Sequence, residues 1–485
     1  MLAPRLGPCE ITPAMSDITA LVLSAGLGKR MKSSLPKVLH RAAGRPLVLY
    51  PVQAALEAGA SAVVCVVSPD VKERVAEALA EELPGAPVSV AVQEVARGTG
   101  DAVKAGIGAV STERVMILCG DTPLVRADDV RALVSALEAA PPAELVLMSA
   151  LLEDPSGYGR VLRDPSGRVL EVREQKDLRS AEERGVHEVN AGVYVARTEA
   201  LRAALGRITS DNAAGEYYLT DAVALASKGG GALAIPGHAD NLLGVNDRAQ
   251  LAQAETLLFQ RIARAHQLAG ATIKGDARID AGVEIGPDAV IEPGVALRGR
   301  SKVGAGASID VGCVITDSEI GERAQLKPYS VVSRSRIGPG AQIGPFAHLR
   351  PDSQVDEDAH VGNFVETKKT RLRKGAKANH LAYLGDGDIG EKANVGAGTI
   401  FCNYDGFQKH LTVIGPGAFI GSDSQIVAPV RVGKDAYVAT GTTVTKDVPD
   451  EALAIARVAQ ENKEGYAPRL KARLAAAAAR KKQGG

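Results

Sequence analysis

The sequence has no excess of charge, since 57 basic residues balance 57 acidic ones across 485 positions. That argues against a general nucleic-acid or membrane-surface role and leaves room for a local anion site. Cysteine is sparse and unpatterned: Cys9, Cys65, Cys119, Cys313 and Cys402 are scattered with no CxxC spacing. Reduced thiols are therefore expected, with neither a disulfide frame nor a zinc site. No run is apolar enough to span a bilayer. The N-terminus lacks a charged start followed by an apolar segment, so the sequence reads as a cytoplasmic protein without membrane insertion or a nucleic-acid partner.

What the sequence does have is a rhythm of six. An aliphatic residue recurs at Ile279, Ile285, Ile291, Leu297, Val303, Ile309 and Ile315, then at Ile320, Leu326 and Val332. It continues at Ile337, Ile343, Leu349, Val355 and Val361, and returns at Ile414, Ile420, Ile426, Val432, Val438 and Val444. Six is a multiple of the strand period of two and does not fit the helical 3.6, so short strands must alternate with regular corners. This describes a parallel β-helix with three walls per coil, in which residues about 18 apart stack inside the prism. Glycine or a small residue often follows the aliphatic one, as in Ile285-Gly286 and Ile420-Gly421, which suits tight corners. The rhythm slips from Ile315 to Ile320, is blurred between Thr367 and Ile389, and is lost between Val395 and Ile414. These breaks carry Lys368, His380, Tyr383, Asn403 and Tyr404, polar and aromatic groups that a self-stacking solenoid does not need.

Five segments follow from these patterns. Residues 1–15 read as an unstructured extension, with Met15 an alternative start. Residues 16–246 alternate near-continuous apolar strands (Thr19–Leu23, Ala62–Val67, Val115–Leu118, Glu144–Met148) with amphipathic helices, which implies a mostly parallel α/β sheet of Rossmann-like type. Residues 247–268 read as a connecting helix starting near Asp247. The β-helix occupies 269–458, and the Ala-, Lys- and Arg-rich tail 459–485 reads as a solvated helix or disorder.

The first strand runs into Leu23-Ser24-Ala25-Gly26-Leu27-Gly28-Lys29-Arg30-Met31, followed by Pro36-Lys37. Glycines after a buried strand let the backbone approach phosphates, and Lys29, Arg30 and Lys37 can neutralise them. A dinucleotide fingerprint would need a third glycine where Met31 stands, and a Walker loop would need Gly-Lys-Ser/Thr. The G-x-G-x-R-M…P-K string instead resembles the signature of sugar-nucleotide pyrophosphorylases. Gln93…Gly98-Thr99-Gly100, Cys119-Gly120-Asp121, Gly157-Tyr158-Gly159-Arg160, Glu174-Gln175-Lys176-Asp177, Glu188-Val189-Asn190-Ala191-Gly192, Gly215-Glu216-Tyr217-Tyr218 and Gly244-Val245-Asn246 follow in order. Together with the β-helix they resemble the family of bifunctional N-acetylglucosamine-1-phosphate uridylyltransferases/glucosamine-1-phosphate acetyltransferases, over roughly residues 16–466.

The resemblance implies a left-handed β-helix, a homotrimer, Mg²⁺, and UTP and acetyl-CoA as co-substrates for glucosamine 1-phosphate and N-acetylglucosamine 1-phosphate. It makes Arg30 and Lys37 the phosphate clamps, and Asp121 and Asn246 the Mg²⁺ ligands. Gln93, Gly98 and Thr99, with the backbone of Leu23, Ser24, Ala25 and Gly26 and the adjoining Cys119 and Gly120, would hold the nucleotide. Gly159, Glu174 and Asn190 would hold the sugar. Ser24 stands where the family usually has Ala, and Asp101 where it often has His.

Acetyl transfer to an amine needs a base, donors for the developing oxyanion, and cations for a sugar phosphate. By the resemblance His380 is the base, and an imidazole exchanges protons near neutral pH. Arg350, Lys368, Tyr383, Asn394, Asn403 and Tyr404 would bind glucosamine 1-phosphate, with Glu366 orienting. Ala397, Ser422, Thr440 and Arg457 would border acetyl-CoA, with Thr440 where the family usually has Ala. Two rivals remain: a single-activity sugar-1-phosphate nucleotidyltransferase with a structural or regulatory β-helix, and a non-enzymatic β-helical scaffold.

Overall fold

A computed structural model describes residues 17–26, 28–242 and 244–483; the extension expected over 1–15 lies outside them. The chain divides into two compact units. One runs to Ala307 and takes in Val314–Asp317, and the other holds Ser308–Cys313 and everything from Ser318.

The first unit is built on a twisted sheet whose central path runs Ala232–Pro236, Leu145–Leu151, Glu188–Arg197, Arg114–Cys119, Ile18–Leu23, Ala62–Val67 and Val88–Val92. Ile18–Leu23 lies parallel to both neighbours. Its residues alternate between two apolar layers, which is why the strand reads as continuously hydrophobic. Leu21, Val64 and Ile117 pack with Val103 and Ile107, while Ala20, Val22, Val63 and Met116 pack with Val52, Val130 and Leu133. The ten-residue strand Glu188–Arg197 is antiparallel to its neighbours, with its register shifted between Asn190 and Tyr194. A helix over Arg248–Leu268 starts where the Asp247 carboxylate accepts from the Gln250 backbone N–H at 2.9 Å. It packs Ala254 and Leu258 against Ala42, Leu47 and Leu124. The first β-helix strands, from Thr272–Ile273 to Lys302–Val303, complete this unit.

The second unit is built of three walls of short parallel strands. The first wall turns Leu326, Ile343, Val361, Ala378, Val395, Ile420 and Val438 inward, the second Val332, Leu349, Thr367, Leu384, Phe401, Ile426 and Val444, and the third Ile337, Val355, Leu372, Ile389, Ile414 and Val432. Each position stacks on its partner one coil away, as Ile343 does on Val361 and Val361 on Ala378. The ladder is more regular than the sequence suggested. Between Thr367 and Ile389 the rhythm is not blurred: Thr367, Leu372, Ala378, Leu384 and Ile389 are all 0% exposed. Thr367 takes an interior place because its hydroxyl donates to Ser353 Oγ at 2.8 Å, which satisfies the one polar atom it buries. The shortened step from Ile315 to Ile320 recurs from Val332 to Ile337, Thr367 to Leu372 and Leu384 to Ile389, always between the second and third walls.

The loss expected from Val395 onward is also narrower. Phe401, 1% exposed, fills the next inward place, so only the loop from Asn403 to Leu411 interrupts the coil. That loop is organised by Asp405, whose carboxylate accepts from the Phe407 and Gln408 backbone N–H groups and from His410 Nε2, each at 2.7 Å. The Gln408 contact is the largest of the effects that hold the Asp405 carboxyl well below the usual carboxylate range.

Corners differ from expectation as well. Between the first and second walls, Tyr329, Phe346, Phe364 and Leu381 adopt positive φ of 58°, 54°, 55° and 49°, a region that costs about 1–2 kcal/mol for a residue with a Cβ. Stacking helps offset this, because the rings of Tyr329, Phe346 and Phe364 succeed one another at 5.4 Å. The four side chains stay about half exposed, at 48–59%. In the tail, Tyr466–Gln483 is a helix, exposed at nearly every position from 466 to 480.

Candidate functional sites

In the first unit a cleft of about 370 Å³ opens beyond the carboxyl ends of the central parallel strands, where open α/β sheets bind ligands. Leu23, Ser24, Ala25, Gly26, Lys37, Gln93, Gly98, Thr99, Cys119 and Asp121 line it. Gly120 lies between two of them, its N–H donating to Leu23 O at 2.8 Å. The glycine string has a local purpose. Gly28 has φ 56°, and a Cβ there would stand 2.6 Å from Lys37 Cβ, so its bareness lets Lys37 pass into the cleft. Gly98, at φ 109°, admits the backbone of Tyr217, whose carbonyl a Cβ would meet at 2.5 Å.

Within the cleft the Lys37 ammonium pairs with the Asp121 carboxylate and donates to Asn246 Oδ1 at 3.3 Å. One cation thus already gathers two oxygen donors from segments far apart in sequence, the donor chemistry a hard divalent ion requires. Gly159, Glu174 and Asn190 form an adjoining cluster: Asn190 N–H donates to Gly159 O at 2.9 Å, and Gly159 lies against the Glu174 carboxylate. The Glu174 carboxyl is raised above its ordinary range, chiefly by burial, although the Thr220 hydroxyl donates to it at 3.1 Å. Cys119 Sγ, 3.6 Å from Gly192 O, links this cluster to the cleft. Arg30 is not among the lining residues; it is exposed on the short turn Lys29–Met31. Glu216 also lines the cleft, and the Gly215-Glu216-Tyr217-Tyr218 motif was the signal for it. Ser24 Oγ is buried without a partner among the described residues.

In the second unit the expected residues fall into columns. One follows the corner between the first and second walls. There Asn363 stands beside His380 as its strand partner, and Gly398 N–H bonds to Leu381 O at 3.1 Å. Asp423 N–H bonds to Ala397 O at 2.7 Å, Gly441 N–H to Ser422 O at 2.9 Å, and Arg457 donates to Thr440 O. His380, Ala397, Ser422, Thr440 and Arg457 therefore mark successive coils of one edge. The exposed His380 ring places Nδ1 2.6 Å from Asn363 Oδ1. An amide oxygen only accepts, so Nδ1 is the donor in this contact, and in the neutral ring that leaves Nε2 as the acceptor. His380 thus sits at a regular corner between the inward Ala378 and Leu384, not at a break in the ladder.

A second group lies along the second wall. Arg350 donates to Glu366 at 2.7 Å, Glu366 pairs with Tyr383, and Lys368 pairs with Gly385. Asn403 Nδ2 donates to Asp386 at 2.5 Å, and a Cβ on Gly385 would stand 2.6 Å from both Asn403 Nδ2 and Tyr383 Oη. Lys409, which was not singled out in the sequence, adjoins Lys368, and its proximity is the main reason the Lys368 ammonium is held below its ordinary range. Clustered cations of this kind suit a phosphate. Two expected members stand apart. Tyr404 is 61% exposed on the loop and donates to Gly406 O, while Asn394 lies on the first wall between Lys377 and Phe419.

Comparison with known proteins agrees with both halves. Residues 20–189 match the model of the MobA-like NTP transferase domain, residues 276–311 the hexapeptide repeat of succinyl-transferase, and residues 411–446 the bacterial transferase hexapeptide of six repeats. The prism is accordingly a left-handed parallel β-helix. Proteins named bifunctional protein GlmU are similar along nearly their whole length. The one from Sorangium cellulosum (strain So ce56) is 61% identical over 468 residues, 96% of this chain and 98% of the relative. Those from Anaeromyxobacter sp. (strain Fw109-5) and Pelobacter propionicus are 50% and 46% identical, over 94% of this chain and 94% and 99% of theirs. The chain therefore belongs to the bifunctional GlmU family, the uridylyltransferase/acetyltransferase family its motifs resemble.

Proposed function

We infer that the chain makes UDP-N-acetylglucosamine in two steps, acetylating glucosamine 1-phosphate with acetyl-CoA in its β-helix and then transferring UMP from UTP in its α/β domain. The observation that carries this is the presence in one chain of both the Lys37–Asp121–Asn246 cleft and the His380–Asn363 corner. We assign uridylyl transfer to residues 16–246 and acetyl transfer to 269–458, with 247–268 joining them and 1–15 and 459–485 outside the chemistry.

In uridylyl transfer an oxygen of the sugar phosphate attacks the α-phosphorus of UTP in line; the new P–O bond replaces the bond to pyrophosphate. Catalysis is then mostly positioning and charge stabilisation. Lys37 reaches the phosphates from inside the cleft, and Arg30 from the exposed turn above. Gln93, Gly98 and Thr99 hold base and ribose beside the Leu23–Gly26 backbone, with Cys119 and Gly120 closing the floor. Gly159, Glu174 and Asn190 hold the sugar. Asp121 and Asn246 would bind Mg²⁺, which supplies positive charge to the phosphates when present.

In acetyl transfer the 2-amino nitrogen attacks the thioester carbonyl and His380 Nε2 takes its proton; the C–S bond then breaks, and that proton passes to the departing thiolate, which leaves as the free thiol of coenzyme A. Arg350 and Lys368, joined by Lys409, hold the phosphate; Tyr383, Asn403 and Tyr404 border the sugar; Ala397, Ser422, Thr440 and Arg457 border the coenzyme. Asn394 stands on a different wall from the other sugar-phosphate residues, and an apolar edge from Tyr329 to Leu381 is exposed. A homotrimer would cover that edge and let one prism's Asn394 complete a neighbour's site. No described helix is long and apolar enough to cross a membrane, and the soluble substrates suit the cytoplasm.

Full-length protein should release free thiol from acetyl-CoA with glucosamine 1-phosphate, and pyrophosphate from UTP with N-acetylglucosamine 1-phosphate and Mg²⁺. Its native mass should be three chains of 50.2 kDa. Pyrophosphate release without thiol release would instead fit a single-activity nucleotidyltransferase.

A further inference from the structure

Gln93 lines the nucleotide cleft but is only 4% exposed. Its backbone is pinned by a 2.8 Å bond from its N–H to Val67 O. Its side-chain amide is committed as well. Nε2 donates to Gly98 O at 3.2 Å and to Asp101 Oδ2 at 2.8 Å. Both partners are pure acceptors, so both amide hydrogens face the protein and the carbonyl oxygen Oε1 is left as the group Gln93 can offer a ligand. Among the described residues no hydrogen bond is made to Oε1. Of the two partners, Gly98 O already accepts from Ala102 N–H at 3.1 Å as part of the helix start, so the charged Asp101 contact is the stronger hold on the amide.

We propose that Asp101 is a specificity-determining positioning residue: by fixing the Gln93 amide, it makes the cleft present an acceptor to the base and so selects a pyrimidine whose N3 carries hydrogen, uracil, over one whose N3 carries a lone pair, cytosine. The proposal rests on the cleft being the uridine-nucleotide site. Asp101 need not touch the nucleotide. A glutamine without this hold can turn its NH₂ outward and satisfy cytosine instead, whereas a fixed acceptor facing a lone pair leaves two polar groups unpaired in a buried site. Asp101 is also the third residue of the helix Thr99–Ile107, where a carboxylate suits the helix dipole. That structural benefit would appear in stability and not in the choice of base.

The test compares kcat/KM for UTP and for CTP in uridylyl transfer by the full-length chain carrying Asp101→Ala, Asp101→Asn or Gln93→Ala. Asp101→Ala should lower the UTP/CTP ratio by about tenfold or more, through a higher KM for UTP with kcat little changed. Asp101→Asn, which still offers an acceptor oxygen, should restore most of the ratio. If Asp101→Ala does not fold, Asp101→Ser, with a hydroxyl suited to a helix start but too short to reach the amide, should show the same loss. A ratio within about twofold of the original in a folded variant lacking the Asp101 carboxylate overturns the proposal. If that happens while Gln93→Ala destroys discrimination, the cleft is still the nucleotide site and only the role of Asp101 falls. If Gln93→Ala leaves discrimination intact, the base is read elsewhere and the assignment of the cleft falls with it.

Discussion

The two halves of this chain build a site in opposite ways. In the α/β half, segments distant in sequence converge at the ends of parallel strands, and Lys37, Asp121 and Asn246 meet around a single ammonium. In the β-helix residues meet mainly by stacking from coil to coil. Neighbours lie one coil apart, so His380 and Ala397 follow one edge while Lys368, Tyr383 and Asn403 gather along the adjoining wall. A sheet with crossover helices concentrates its loops at one end, whereas a solenoid repeats each position along its axis and presents surfaces. It follows that the first site should be complete within a chain, and that the second should need a neighbour.

Four substitutions probe this contrast, beginning with the largest effect. Lys37→Ala removes the cation at the centre of the cleft and should lower the uridylyl-transfer rate by about 10²–10³, measured as pyrophosphate release, with acetyl transfer unaffected. Ile337→Ala empties an inward position that is 1% exposed and should cost about 2–5 kcal/mol, read as a lower thermal midpoint of the β-helix transition. Asn363→Ala frees the His380 ring and should reduce acetyl transfer by about tenfold, with uridylyl transfer as the control. Ser24→Ala removes a buried hydroxyl without a partner among the described residues and should raise stability by about 1 kcal/mol, seen in denaturant unfolding of the α/β half.

Acid should affect the loop from Asn403 to Leu411 late. The Asp405 carboxyl is held below its unfolded value of 3.8, so its ionised contacts stabilise the loop above that pH and are lost only as pH falls further. The backbone N–H groups of Phe407 and Gln408 should therefore stay protected from hydrogen exchange down to about pH 4.

Much of this was legible in the sequence because each half is periodic in its own way. Apolar strands such as Thr19–Leu23 announced a buried, mostly parallel sheet, and the hexads announced the prism. Errors came where an interior place was filled by an unexpected residue. Thr367 and Ala378 interrupt the run of large aliphatics, and Phe401 stands where it resumes. Corner residues also depart from the expected glycines, because stacking on aromatic neighbours lets Tyr329, Phe346 and Phe364 hold a backbone shape usually left to glycine. Within the sites, glycine strings and charged pairs were readable, but contacts made only by folding were not. Lys409 meets Lys368 across a loop, Asn363 meets His380 one coil away, and Asp101 meets Gln93 across a helix start.

The most direct test of the division between the two halves is to assay both half reactions on folded His380→Ala protein. Thiol release from acetyl-CoA should fall by about 10²–10⁴ while pyrophosphate release from UTP stays near the level of the unaltered chain. Loss of both activities, or survival of thiol release, would contradict the assignment of acetyl transfer to the His380 edge and of uridylyl transfer to the α/β cleft.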